Sequence, residues 1–168
     1  NTGGIVQIQP KGFGSVKNHN ELQLTAGAYG LFNEQLAIQR QLGKKYQFSV
    51  NQSYQRSDGY RDHSAMSRKT LQTAHQWQYA PNKTLRFFGL YSDIGYETPG
   101  GLTLAQYNLD PAASRPAGGP NPSAKEQQAA IYNKTTYLGF AHNYQISNAL
   151  THNISVFGSH TNLENPFI

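Results

Sequence analysis

Residues Asp93–Thr136 read DIGYETPGGLTLAQYNLDPAASRPAGGPNPSAKEQQAAIYNKTT. The stretch is too polar, and too rich in Gly, Pro and Ala, to form a core. It separates two strongly alternating segments, LRFFGLYSD (Leu85–Asp93) and TTYLGFAHNY (Thr135–Tyr144). The alternation predicts a strand on either side, leaving a loop over about 94–134. Roughly 40 residues of loop far exceeds the usual ~4–6-residue connection, so its length calls for a functional or topological reason.

Outward from this excursion the same period-2 signal recurs. Glu21–Ala28 places Leu22, Leu24, Ala26 and Ala28 on one face and Glu21, Gln23 and Thr25 on the other. Tyr29-Gly30 makes a tight reversal, and Asn33–Leu42 alternates again. The composition of FNEQLAIQRQL also suits a helix, but no cap precedes it and its neighbours have period 2, so a strand is expected. Tyr46–Arg56, Thr70–Tyr79, Thr84–Asp93, Thr135–Tyr144 and Leu150–Thr161 complete seven strands. One set of connections is short: 43–45, 80–83 and 146–149. The other set is more variable: 29–31, 57–67 and 94–134. Short turns at one end and long loops at the other are the pattern of an outer-membrane β-barrel. Trp77, Tyr79, Tyr46 and Tyr144, all beside short turns, stand where an interfacial aromatic girdle would lie.

The composition agrees. Only 37% of the 168 residues are hydrophobic and 14% charged, with eleven Tyr and eight Phe. Disorder would combine low hydrophobicity with high charge and few aromatics. A strand set with one face in lipid and the other wet needs this mixture of Tyr, Gln, Asn, Ser and Thr. There is no apolar run of the ~18 residues that a transmembrane helix requires, which leaves barrel strands of ~9–11 residues open. The absence of cysteine excludes a disulfide scaffold and a thiolate metal site. Net charge is a mild +5 and spread along the chain, which favours dispersed surface charge over the sharper reading of a basic patch for nucleic acid or lipid headgroups. The start Asn1-Thr2-Gly3-Gly4 lacks Met and a signal peptide, so the expectation is a chain processed or cut from something longer.

Five motifs in order resemble TonB-dependent outer-membrane receptors. Thr2-Gly3-Gly4-Ile5-Val6-Gln7-Ile8-Gln9-Pro10-Lys11 is similar to the end of the plug domain in that family. Gly27-Ala28-Tyr29-Gly30 is similar to the reversal after its first barrel strand. Ser57-Asp58-Gly59-Tyr60-Arg61 matches an S-D-G-aromatic-R signature closing the third. Thr98-Pro99-Gly100-Gly101-Leu102-Thr103, with Gln106-Tyr107 and Asp110-Pro111, resembles the third extracellular loop of ferric-citrate-type receptors. Asn165-Pro166-Phe167 fits the outward end of a later strand. The resemblance covers essentially the whole chain. It implies residues 1–12 as the plug end, 13–20 as a linker, and 21–168 as the first part of a 22-stranded, plugged barrel. It implies a bacterial outer-membrane location and import of a ferric siderophore or citrate-like complex. Energy would come from the TonB complex through an N-terminal region outside this sequence. The TonB box, most of the plug and the later strands are missing from the pattern, so the expectation is a fragment.

Candidate ligand contacts are the loop residues Tyr60, Arg61, Asp62, His63, Tyr96, Gln106, Tyr107, Asn108 and Arg115. Arg can grip an anionic chelate through charge-assisted, bidentate hydrogen bonds, while Tyr and Gln orient it. The bland alternative is that these residues shape turns and pair locally. The six histidines, at 19, 63, 75, 142, 152 and 160, show no metal-ligand spacing. His142 and His152 read as a cross-strand polar pair. Iron would arrive inside its chelator, so no cofactor is expected. No nucleophile elbow or paired-carboxylate pattern points to an enzyme. Two other classes remain open at this stage: a complete small outer-membrane barrel or adhesin, and a soluble all-β glycan-binding module.

Overall fold

The computed structural model describes residues 18–166. The Ile5–Ile8 run, the rest of the 1–12 unit, most of the 13–20 segment and Phe167-Ile168 lie outside the described residues. The fold is all-β: β1 (His19–Ala26), β2 (Phe32–Leu42), β3 (Tyr46–Ser57), β4 (Met66–Ala80), β5 (Lys83–Glu97), β6 (Ala130–Gln145) and β7 (Thr151–Glu164). One six-residue helix, α1 (Leu104–Leu109), interrupts the β5–β6 connection. The strands form a single antiparallel sheet in sequence order, open at β1 and β7.

Strand identities follow the alternation, but several boundaries differ from expectation. His19 and Asn20 already pair with Gln39 and Ile38, so the linker ends earlier than residue 20. Residues 32–42 form a strand bonded on both sides, which disposes of the helical reading. The excursion narrows to 98–129 because β5 and β6 stay in register up to Glu97↔Ala130. The β3–β4 loop narrows to 58–65 because Ser57 still faces Met66. Polar strand ends such as Ser67-Arg68-Lys69 obscure these extensions in the sequence; paired backbone groups hold them.

The register divides the sheet into two faces. Leu22, Leu36, Gln52, Leu71, Tyr91 and Thr136 are successive partners across β1–β6 and share one face. Phe48, His75, Phe87, Phe140 and Val156 form a second row on that face. The opposite face carries the row Gln23, Gln35, Ser53, Thr70, Ser92, Thr135 and Thr161. It turns apolar only toward β5–β7, where Phe88 meets Tyr137 edge-on and Tyr137 stacks near Phe157.

Among the described residues no second layer covers either face. Among the described residues the buried apolar side chains are four alanines, Ala74, Ala124, Ala129 and Ala130, and no large side chain is fully buried. Leu22 is 61% exposed, Phe140 50% and Val156 65%, all on the apolar face.

Connections alternate between the two ends of the sheet. The short turns are laced together: Gln78 N–H donates to the Lys45 carbonyl at 2.7 Å, and Gln145 N–H to the Asn82 carbonyl at 3.0 Å. Beside them Trp77 packs on Tyr79, and Tyr79 Oη lies 2.6 Å from His142 Nε2. Lys83 Nζ sits 4.5 Å above the Tyr144 ring. His142 faces Ile154 and His152 faces Tyr144, so these two histidines are diagonal cross-strand neighbours. The His142 ring stacks on Tyr79, across the preceding strand.

Candidate functional site

At the other end, the β1–β2 turn, the 58–65 loop and the 98–129 excursion converge. The first two are joined through Tyr29, whose carbonyl accepts from Asp58 N–H at 2.8 Å and from Ser57 Oγ at 3.2 Å. Tyr29 itself stands at φ 56°, and its ring meets Tyr60 edge-on at 5.5 Å. Gly59 allows this loop to close. Its φ is +79°, and a Cβ there would lie 2.5 Å from the Ser64 carbonyl oxygen.

The 58–65 loop is then clamped to the excursion along one side. Arg61 donates from Nε (3.0 Å) and Nη2 (2.9 Å) to the Ala113 carbonyl. Asp62 N–H donates to the Ala112 carbonyl at 2.7 Å, and its carboxylate meets Lys125 Nζ at 2.7 Å. His63, at φ 57°, donates from Nε2 to the Ala129 carbonyl at 2.8 Å, which fixes the hydrogen on that nitrogen. Its Nδ1 lies 3.5 Å from Glu97, whose other oxygen accepts from Ala65 N–H at 3.1 Å.

The excursion is built around Arg115. Its backbone N–H donates to the Pro99 carbonyl at 2.7 Å, its carbonyl accepts from Ala124 N–H, and its guanidinium reaches the Pro122 carbonyl and Gln127. Gly100 leaves room for it, since a Cβ there would lie 2.8 Å from Arg115 Cβ. Two reciprocal caps complete the scaffold. Thr103 Oγ1 accepts from Gln106 N–H while Gln106 Oε1 accepts from Thr103 N–H, starting α1. Ser123 and Glu126 repeat the arrangement, and the two Ser123 donors hold the Glu126 carboxyl below the usual carboxylate range.

The nine sequence candidates therefore separate into two groups. Arg61, Asp62, His63, Gln106 and Arg115 spend hydrogen-bonding groups on the loop scaffold. Tyr60 (54% exposed), Tyr107 (57%), Asn108 and Tyr96 present their side chains at its surface. Tyr96 lies on the polar face, opposite Met66 and Ile131 in register. Sequence reading missed Lys125, Glu97 and Gln127 as bracing partners. None of the three has a local signal, unlike the T-x-x-Q and S-x-x-E caps of Thr103–Gln106 and Ser123–Glu126. Set against known proteins, the chain matches no protein-family profile and no curated protein.

Proposed function

We propose that this chain is part of the barrel of an outer-membrane TonB-dependent receptor that binds and imports a ferric siderophore or ferric-citrate-like complex. The observation that carries the reading is that, among the described residues, nothing covers the apolar face of the sheet, whose other face is mainly Gln, Asn, Ser and Thr over β1–β4. A water-soluble sheet buries its apolar face against a second layer. Lipid does that work for a barrel wall.

The shape of the apolar band supports lipid. On β1 it is centred between Leu22 and Leu24, around Gln23. The register row through Gln23 crosses β7 at Thr161, whereas the β7 band is centred between Ile154 and Val156. The band thus slips by about six residues in six strand steps, or ~20 Å along the strands over ~29 Å across them. Strands inclined ~35° to the membrane normal would level such a band, within the range for transmembrane barrels. On β5 the apolar stretch runs between Lys83 and Asp93. That is ~34 Å of strand, or ~28 Å along the normal at this inclination, against a usual band of ~25 Å.

Among the described residues β1 and β7 are the edges of the sheet, and in this reading further strands of the same wall continue it. In this reading the braced loops face outward, where Tyr60, Tyr96, Tyr107 and Asn108 form the ligand surface. Arg61, Asp62, His63, Gln106 and Arg115 hold it in shape.

The test uses outer membranes from cells producing the full-length protein. Resistance to alkaline carbonate extraction and TonB-dependent uptake of radiolabelled ferric citrate or ferric siderophore are expected. Release by carbonate would overturn the membrane reading. A membrane-embedded protein with no chelate uptake would overturn the transport reading alone.

A further inference from the structure

The net charge is spread along the chain but not over the molecule. At the short-turn end, residues 39–48, 76–86 and 141–153 contain Arg40, Lys44, Lys45, Lys83 and Arg86 and no Asp or Glu. The nearest carboxylate, Glu21, is on the polar face beside His19, at 3.2 Å. Every other Asp and Glu lies toward the long-loop end, where Lys and Arg accompany them. Lys44 and Lys45 occupy the exposed β2–β3 turn, and the Gln78–Lys45 hydrogen bond holds that turn against β4. Arg40 and Lys83 border the apolar face itself. Arg86 belongs to the polar face.

This cationic rim is continuous with the aromatic cluster of Tyr46, Trp77, Tyr79 and Tyr144. Lys and Arg beside Trp and Tyr at the border of an apolar band match a lipid headgroup layer, and a rim of one sign selects anionic headgroups. We infer that the short-turn rim binds anionic phospholipid in the adjacent leaflet through Lys44, Lys45 and Lys83, while Arg40 beside them donates from Nη1 to the His19 and Gln39 carbonyls. This rests on the membrane reading above. The aromatic rings set the depth of the wall, and the ammonium groups grip phosphates. Lys83, already over the Tyr144 ring, is placed where the two layers meet.

The experiment titrates the detergent-solubilised full-length protein with phosphatidylglycerol or phosphatidylcholine and counts retained lipids by native mass spectrometry. The wild type should favour phosphatidylglycerol. The triple variant K44Q/K45Q/K83Q should lose that preference by about a hundredfold, at roughly fivefold for each lysine. The triple Lys→Arg variant should keep it. Heat-modifiable electrophoretic mobility shows in each case that the barrel is intact. Equal retention of the two lipids by the wild type, or an unchanged preference in the Gln variant, overturns the inference. So does an acidic periplasmic protein holding the rim in place of lipid. Failed chelate uptake beside an intact lipid preference removes the transport reading only, while a protein soluble without detergent removes both.

Discussion

Lys125 Nζ lies 2.7 Å from Asp62 Oδ2, tying the β3–β4 loop to the β5–β6 excursion across 63 residues of sequence. Both side chains are more than half exposed, so Coulomb attraction is screened and the bond competes with side-chain entropy. Lys125→Ala and Asp62→Ala should each cost about 0.2–1 kcal/mol, and the double variant little more than either alone. A thermal-denaturation double-mutant cycle checks this. Additive losses would mean that the two residues act through other partners.

Arg61 is the stronger clamp. It is half-buried, and two of its donors converge on one carbonyl. Arg61→Ala leaves that carbonyl unpaired, at about 1.5–3 kcal/mol for a charge-assisted contact. The loss falls on the loop pack and leaves the ladder of strands alone. Limited proteolysis should therefore cut within 111–125 far faster than in the wild type, with strand amide exchange unchanged. Arg61→Lys restores the charge but not the fork, and should rescue only in part.

Most of the sheet was legible because its cause is local. Leu22 and Leu24, or Phe48 and Val50, announce their face by spacing, and Gly43-Lys44-Lys45 announces its turn. The loop scaffold was not, because its bonds are between residues far apart: Arg61 with Ala113, His63 with Ala129, Lys125 with Asp62. Three of these use backbone carbonyls or solvent-exposed charges, which leave no mark on composition. The two arginines that sequence chemistry assigns to an anionic ligand direct hydrogen bonds to loop carbonyls, a distinction that only the folded loops reveal. Two caps lay in plain view, Thr103-x-x-Gln106 and Ser123-x-x-Glu126, inside a stretch that otherwise reads as one long loop.

The second of those caps makes the excursion sensitive to acid. Ser123 N–H and Oγ–H bond the Glu126 carboxylate, so its pKa is lower in the folded loop than in the unfolded chain. The stabilisation is fully present above the unfolded pKa and disappears as pH falls through the folded one. Amide exchange at Ser123 should accelerate on acidification relative to the intrinsic rate, and Glu126→Gln should flatten that profile. An identical profile in the Gln variant would remove the cap from the explanation.

The excursion also supplies a loss-of-function test with an intact wall. Ala129 and Ala130 are buried, and Ala130 pairs with Glu97, so a deletion of Gly100 to Ala130 would cut into β6. Removing residues 100–127 spares the ladder. Loops carry binding function and tolerate deletion, so on the receptor reading proposed above ferric-chelate binding to whole cells should fall to background while the protein remains heat-modifiable in the outer membrane. Unchanged affinity would transfer the ligand site to other loops.

The two faces of the sheet call for opposite tolerances to charge. Leu138, on β6, is directly opposite Gly89 and Gly158 in the middle of the apolar face. Gln72, on β4, stands opposite Asn51 on the polar face. If lipid covers the first face and water or protein the second, Leu138→Arg places a guanidinium near the bilayer midplane and should cost about 2–4 kcal/mol of folding stability. Gln72→Arg should cost well under that, since its side chain keeps polar surroundings. Urea-titrated folding into phosphatidylcholine bilayers measures both. In a soluble sheet neither side chain would meet hydrocarbon, and the two substitutions would cost alike. The difference between the variants, more than either value, decides where this wall sits.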